Sequence, residues 1–271
     1  MQSTPDTAAE SAADPAVHYQ RRGAVGVLTL NRPENRNAMT TELLDAFGAA
    51  LAAARDDAAL RALVITGTGR CFSAGADLRA SLQTGDGRLP HERSFAMYAP
   101  FLAVLDVEVP VIAALNGHAV GGGFGLSLLC DLRIGAIGAR YGANFTRIGL
   151  SPGMAISATL PHVVGPHRAT ELLLTGRLFD AAEGLTNGYL LEACEPNEVL
   201  PRAVALAEVI AANAPIALRL TRKLLRTAAG FDPRQAALRE AYAQAETIAT
   251  ADAEEGVAAL LQKRAPRFAG R

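Results

Sequence analysis

Two glycine-rich segments, each directly behind a short apolar run, constrain this chain more than anything else in it. They are Cys71-Phe-Ser-Ala-Gly-Ala-Asp-Leu78, which follows the run 62–66, and Asn116-Gly-His-Ala-Val-Gly-Gly-Gly-Phe-Gly125, which follows the run 109–115. The second leads into the apolar stretch 126–130, read as a helix. Further strands are read at Val25–Leu30, closed by the turn Asn31-Arg32-Pro33, and at 132–136. Thr40 or Thr41 caps a helix running to residue 55, with Leu43, Leu44, Phe47 and Leu51 on one face. Short apolar strands alternating with helices indicate an α/β fold. After residue 165 the text turns helical, with helices expected over 169–175, 200–212, 216–229 and 233–250.

At 271 residues and 50% hydrophobic, the chain is long and apolar enough to bury a large core. Its 26 Lys+Arg against 27 Asp+Glu argue against a dedicated nucleic-acid binder. Cys71, Cys130 and Cys194 give neither a CxxC pair nor a disulfide framework, which points to a reducing compartment. No run approaches 18 consecutive strongly apolar residues, so no membrane span is expected. Residues 1–17 are small and polar, with Asp6, Glu10 and Asp14 and no Lys or Arg. That charge is wrong for a secretion signal or a mitochondrial presequence. A disordered tail over 1–17 is therefore expected, followed by a core over 18–200 and a helical region over 201–271, with the cytoplasm as the default location.

Glycine loops of this kind suit several chemistries. A phosphate loop fails, because there is no GxxxxGK[ST], and Leu126 stands where a GxGxxG begun at Gly121 needs glycine. Gly149-Leu-Ser151-Pro-Gly153 spells the GxSxG of serine hydrolases. That motif needs the N–H of the residue after serine, and Pro152 has none. A third chemistry fits: small residues admit a ligand to the backbone, and a helix start offers unpaired N–H groups. Two such groups from two loops grip one carbonyl oxygen and stabilise an oxyanion or enolate. Glycines that merely permit turns and packing would look the same.

Other segments join these two in a fixed order. Leu30-Asn-Arg-Pro-Glu-Asn-Arg-Asn-Ala-Met39 comes first, then Ile65-Thr-Gly67, Cys130-Asp131, Gly149-Leu-Ser-Pro-Gly153 and Glu171-Leu-Leu-Leu-Thr-Gly176. Glu255-Gly256 and Lys263-Arg-Ala-Pro-Arg-Phe268 close the series. The ordered set resembles the crotonase (enoyl-CoA hydratase/isomerase) superfamily over roughly 23–271. The resemblance implies an α/β spiral of ββα turns with a helical C-terminal trimerisation region, hence a homotrimer or dimer of trimers. It implies an acyl-CoA ligand, with coenzyme A as part of the substrate and no separate cofactor. It also implies an oxyanion hole built from the N–H groups of Ala76 and Gly122, with Gly121 beside them. Arg36, Asn37 and Ala38, together with Ala74, Gly75, Asp77 and Leu78, would line the CoA arm. Lys263 matches a residue that reaches the CoA phosphates of a neighbouring subunit, or it is an ordinary surface lysine.

The sequence departs from that pattern at two places. Hydratases of the family carry two glutamates across the substrate double bond, and this chain has Gly125 and Phe145 there. No Asp or Glu lies between Asp131 and Glu171, and isomerases usually keep the second glutamate. Positioned acid–base groups typically supply about 10²–10⁴-fold in rate. Substitutes were sought in His118, Tyr141, Asn144, His162, His167, Tyr98, Glu92 and His91, each with a packing, capping or surface role as the plainer reading. Asp77 and Asp131 suit bonding of loop backbone better than proton transfer. Arg219, Arg222, Lys223 and Arg226 share one helical face. That face either attracts CoA phosphates or is a solvated face opposite Ile216, Leu220 and Leu224. The functional expectation is an acyl-CoA thioester-processing protein, a hydratase/isomerase-like lyase without the usual glutamates. Alternatives are a non-catalytic acyl-CoA binder, a hydrolase or decarboxylase with another proton donor, and a purely structural subunit.

Overall fold

The computed structural model describes residues 14–77 and 87–270. Its frame is a six-stranded sheet in the order β1 (Val17–Arg22), β2 (Val25–Leu30), β3 (Ala62–Gly67), β5 (Val111–Leu115), β7 (Leu132–Ala136) and β9 (Glu192–Cys194). Only the β1–β2 pair is antiparallel. The short strands β4 (Cys71–Ser73), β6 (His118–Val120) and β8 (Tyr141–Gly142) form a second, wholly parallel sheet. Each of β3, β5 and β7 thus feeds a short partner in the other sheet before the chain turns helical. That repeated step is the ββα spiral. Parallel strands covered on both faces read as unbroken apolar runs, and Ala62–Ile65 and Val111–Leu115 are fully buried.

The first helix, α1 (Thr41–Asp56), begins where Thr40 Oγ1 accepts the Leu43 N–H at 3.3 Å. It buries Leu43, Leu44, Phe47 and Leu51, as its spacing requires. Next come α2 (Pro90–Leu102), α3 (Gly122–Leu129), α4 (Ile156–Val164), α5 (Pro166–Thr175) and α6 (Ala181–Thr186). The C-terminal helices are α7 (Val199–Ala211), α8 (Pro215–Ala228), α9 (Pro233–Ile248) and α10 (Ala251–Leu261). Residues 200 and 201 fall in the first turn of α7, which packs on β3, β5 and β7.

Four expectations are corrected here. The helix expected over 233–250 ends at Ile248, and Thr250 caps a separate helix by accepting the Ala253 N–H at 3.1 Å. The region after residue 165 is not purely helical, because β9 completes the main sheet. The tail expected over 1–17 lies mostly outside the described residues, but its end is ordered: Ala16 and Val17 are buried, and Asn31 N–H donates to Ala16 O at 2.8 Å. The fourth correction concerns α8, whose basic face is divided: Arg222 and Arg226 turn inward, while Arg219 and Lys223 stay exposed. Arg222 is 7% exposed and its Nε donates to Asp131 Oδ2 at 2.6 Å, while Arg226 donates to Leu105 O and Leu129 O. Ile216, Leu220, Leu224 and Leu225 are 55–69% exposed instead. Asp131 and three backbone carbonyls, including Val107 O, draw the guanidinium groups in, and the apolar side of the helix is left outside.

Candidate active site

The two glycine-rich segments meet at the start of α3. Gly75 has φ +82°, and a Cβ placed on it would stand 2.8 Å from Gly122 N and 2.8 Å from Val120 O. Only a residue without a side chain permits that approach. The contact sets the Gly75–Ala76 peptide against the Gly122 N–H. A bridge between Met39 and Ala76 holds the first loop, with Met39 N–H donating to Gly75 O at 2.9 Å. On the other loop Gly121 takes φ +55°, and its N–H donates to Gly142 O at 3.0 Å. Gly122 is then the first residue of α3, whose N–H has no partner within the helix. Among the described residues neither Ala76 N–H nor Gly122 N–H meets a protein acceptor. Ala76 is half-buried and Gly122 buried.

The surrounding candidates divide into two groups. Asn37 is fully buried and saturated: its Nδ2 donates to Cys71 O and Thr68 O, and its Oδ1 accepts the Arg32 N–H at 2.7 Å. It shapes the loop, and its side chain is not free for a ligand. Arg36 is exposed beside it, in the same left-handed backbone, and accepts the Ala74 N–H through its carbonyl. Ala38 is buried and Asp77 half-buried, while Leu78 lies outside the described residues. Lys263 is exposed just beyond α10.

Gly125 and Phe145 are where the structure adds most. A Cβ on Gly125 would lie 2.4 Å from Met154 Cβ and 3.4 Å from Ile156 Cδ1. Met154 and Ala155 are both fully buried and both left-handed, with φ +64° and +59°. That costs roughly 1–2 kcal/mol per residue for a side-chain-bearing amino acid. The space above Gly125 is therefore filled by a thioether side chain rather than left open. Phe145 is 8% exposed, and its Cζ lies 3.9 Å from a Cβ placed on Gly121. The side chains nearest the glycines of the second segment are Met39, Ser73, Asn144, Phe145, Met154 and Ile156, and none is acidic.

The loop 153–157 is held from α9. Glu240, 6% exposed, accepts the Ser157 N–H at 2.7 Å and the Ser157 hydroxyl at 2.5 Å. Burial raises its carboxyl above the usual range, and the bonds from Ser157 offset part of that. Gln244 and Tyr98 bond to each other beside it, and burial pushes the Tyr98 phenol far up.

The other proposed substitutes have structural work. His118 Nδ1 accepts the Arg140 N–H at 2.9 Å, Tyr141 donates to Ala136 O, and Glu92 Oε2 accepts the Leu89 N–H. His91 stacks on Tyr242 and His162 on Phe231, and His167 is exposed. Asp131 accepts the Val111 N–H and pairs with Arg222. Ser151 Oγ is buried and bonded to nothing among the described residues, and its N–H goes to Thr247. Asn144 does not cap the turn that follows it. No group of three His, Cys, Asp or Glu among the described residues is placed to hold a metal ion. Met154, Ile156 and Glu240 were not legible in the sequence, since nothing there marks two non-glycine residues as left-handed or brings residue 240 beside 157.

Comparison with known proteins points one way. The model of a family described as Enoyl-CoA hydratase/isomerase matches residues 20–271. A putative enoyl-CoA hydratase of Thermus thermophilus is 38% identical over 249 residues, covering 91% of this chain and 98% of the relative. The crystal structure of an enoyl-CoA hydratase/isomerase from Pseudoalteromonas atlantica superposes with a TM-score of 0.83 at 33% identity, covering 94% of this chain and all of the other. A carnitinyl-CoA hydratase from Mycobacterium avium gives 0.83 at 32%, covering 96% of this chain and 100% of that one.

Proposed function

The chain belongs to the enoyl-CoA hydratase/isomerase family, and on that premise we propose that it binds acyl-CoA thioesters through an oxyanion hole made by the Ala76 and Gly122 N–H groups, without the family's paired glutamates. One observation carries this reading: two unpaired amides are brought together by a glycine contact that admits no side chain. In the proposed reaction the thioester oxygen accepts from both amides. When a base outside the two glutamate positions takes a proton from the carbon next to the thioester, the C–H electron pair moves into an enolate whose oxygen those N–H groups hold. Coenzyme A is part of the ligand, and no further cofactor is needed for that step. Lys263 is proposed to meet the CoA phosphates of a neighbouring subunit.

The apolar filling of the site argues against ordinary hydration. Met154 and Phe145 stand where the resemblance places the carboxylates that activate water. That filling equally favours a second reading, a non-catalytic acyl-CoA-binding member. A hydrolase or decarboxylase would need a proton donor outside the two glutamate positions. The exposed face of Ile216, Leu220, Leu224 and Leu225 supports self-association through the C-terminal region, as a trimer or a dimer of trimers.

The test separates the amide from the side chain. A Cβ at position 122 approaches the Met39 sulfur, so Gly122→Ala is the control for crowding, and Gly122→Pro adds loss of the N–H. Acyl-CoA thioesters incubated in D₂O are followed by mass spectrometry, alongside equilibrium binding. Gly122→Pro is expected to lose about 10²–10³-fold in turnover relative to Gly122→Ala. For a binder the loss appears in affinity. Equal behaviour of the two variants in both assays refutes the oxyanion hole.

A further inference from the structure

The carboxamide of Asn144 stands beside the glycine that precedes the Gly122 amide, and among the described residues nothing bonds to it. It stands at the head of the turn Phe145–Ile148, is half-buried, and neither caps that turn nor bonds to any described residue. Its Oδ1 lies 3.9 Å from a Cβ placed on Gly121. The same point is 3.9 Å from Phe145 Cζ and 4.0 Å from Gly75 Cα. So Asn144, the Phe145 ring and the glycines preceding the two amides ring one spot. A carboxamide offers two donors and an acceptor, and rotation of its end exchanges them. A ligand seated there covers the carboxamide and shuts it off from solvent. The ligand must then supply an oxygen, or the amide is left covered and unpaired.

We propose that Asn144 reads a carbonyl oxygen on the third carbon of the acyl group, which makes 3-oxoacyl thioesters the favoured ligand class. The inference rests on the thioester site proposed above. In this arrangement the acyl chain, its first carbonyl on Ala76 and Gly122, runs past Gly121, where Asn144 Oδ1 and the Phe145 ring flank the glycine. A neutral amide suits a neutral carbonyl. A carboxylate at that point would face the Phe145 ring and the Gly75 backbone with no cation among those nearest atoms, which disfavours a full charge. A plain alkyl chain packs on Phe145 but leaves the amide unmatched.

The experiment is calorimetric titration of acetoacetyl-CoA and butyryl-CoA, which differ at that carbon by one oxygen. Wild type is expected to bind acetoacetyl-CoA about 5- to 100-fold more tightly, the range set by leaving one covered polar group unpaired. Asn144→Ala should bring the ratio close to one by weakening acetoacetyl-CoA selectively. Asn144→Leu should reverse it by favouring butyryl-CoA. A wild-type ratio near one, or a ratio unchanged in Asn144→Ala, overturns the role of Asn144 while leaving the oxyanion hole standing. If neither thioester binds wild type, the thioester site itself falls, and this inference with it.

Discussion

Replacing Gly125 by alanine puts the filled site to a quantitative test. The added methyl would stand 2.4 Å from Met154 Cβ and 3.2 Å from its Cγ, well inside contact distance. The obstacle cannot swing away, because the nearest atom is a Cβ fixed to a buried backbone. Nor can α3 retreat, since a Cβ on Gly123 would already stand 2.4 Å from Ser73 O, which marks how closely that strand backs the helix. Overpacking of this kind costs about 1–3 kcal/mol, and each kcal/mol moves Tm by about 2–4 °C in a domain near this size. Met154→Gly acts in two directions. It loses a buried methionine, about 2–5 kcal/mol, and regains about 1 kcal/mol by relieving the left-handed backbone. In the double variant the clash is gone and the methyl fills part of the cavity. Its loss should therefore fall short of the sum of the singles by about 1–3 kcal/mol. Thermal or urea denaturation of the four proteins measures this. A Gly125→Ala protein as stable as wild type, or strict additivity, would show that Met154 does not occupy that space. The same geometry says Gly125→Glu alone will not restore a working carboxylate.

Two further outcomes follow from groups outside the paired amides. Glu240 has a folded-state pKa above its unfolded value near 4.5, so the unfolded chain releases this proton first, and stability falls as pH rises from about 4.5 through the raised value. In Glu240→Gln, whose amide oxygen can still accept from Ser157, that decline should be absent; a parallel pH profile for both proteins would contradict it. Leu220→Glu with Leu224→Glu places charge on the exposed face of α8 and should shift light-scattering mass toward monomer, whereas an unchanged mass would assign assembly to another surface.

Elements with a clear hydrophobic signature were readable from the sequence: β2, β3 and β7 stand where short apolar runs put them, and α1 where a 3.6-residue pattern does. The short strands β4, β6 and β8 were not, because each is two or three residues long and forms only by pairing with segments far along the chain. For α8 the period was right, but the basic face is only half solvated, because Arg222 and Arg226 turn in while Arg219 and Lys223 stay out. Amphipathicity fixes which residues share a face, but Asp131 and the carbonyls of Leu105, Val107 and Leu129 decide which face goes in. The same division holds at the site. Two glycine loops announce close backbone approach, whereas Asn37, which the resemblance gave only as a lining of the CoA arm, shows its bracing of the loop only through its three bonds. That glycine and phenylalanine stand at 125 and 145 was visible, but the methionine packed against Gly125 was not.

The meeting of Gly75 with Gly122 has a consequence for how such a site changes over generations. The donors proposed there are main-chain atoms, so every substitution at Ala76 leaves the N–H in place except proline, and the same holds at Gly122 for any residue the packing tolerates. Side-chain acids and bases have no such protection, since almost any single codon change deletes them. Mutation therefore strips proton transfer from this scaffold far more readily than it strips the grip on an anionic oxygen. On the proposed reading, a chain that loses its side-chain acids and bases keeps a receptor for activated carbonyls, on which a different chemistry, or none, can be built.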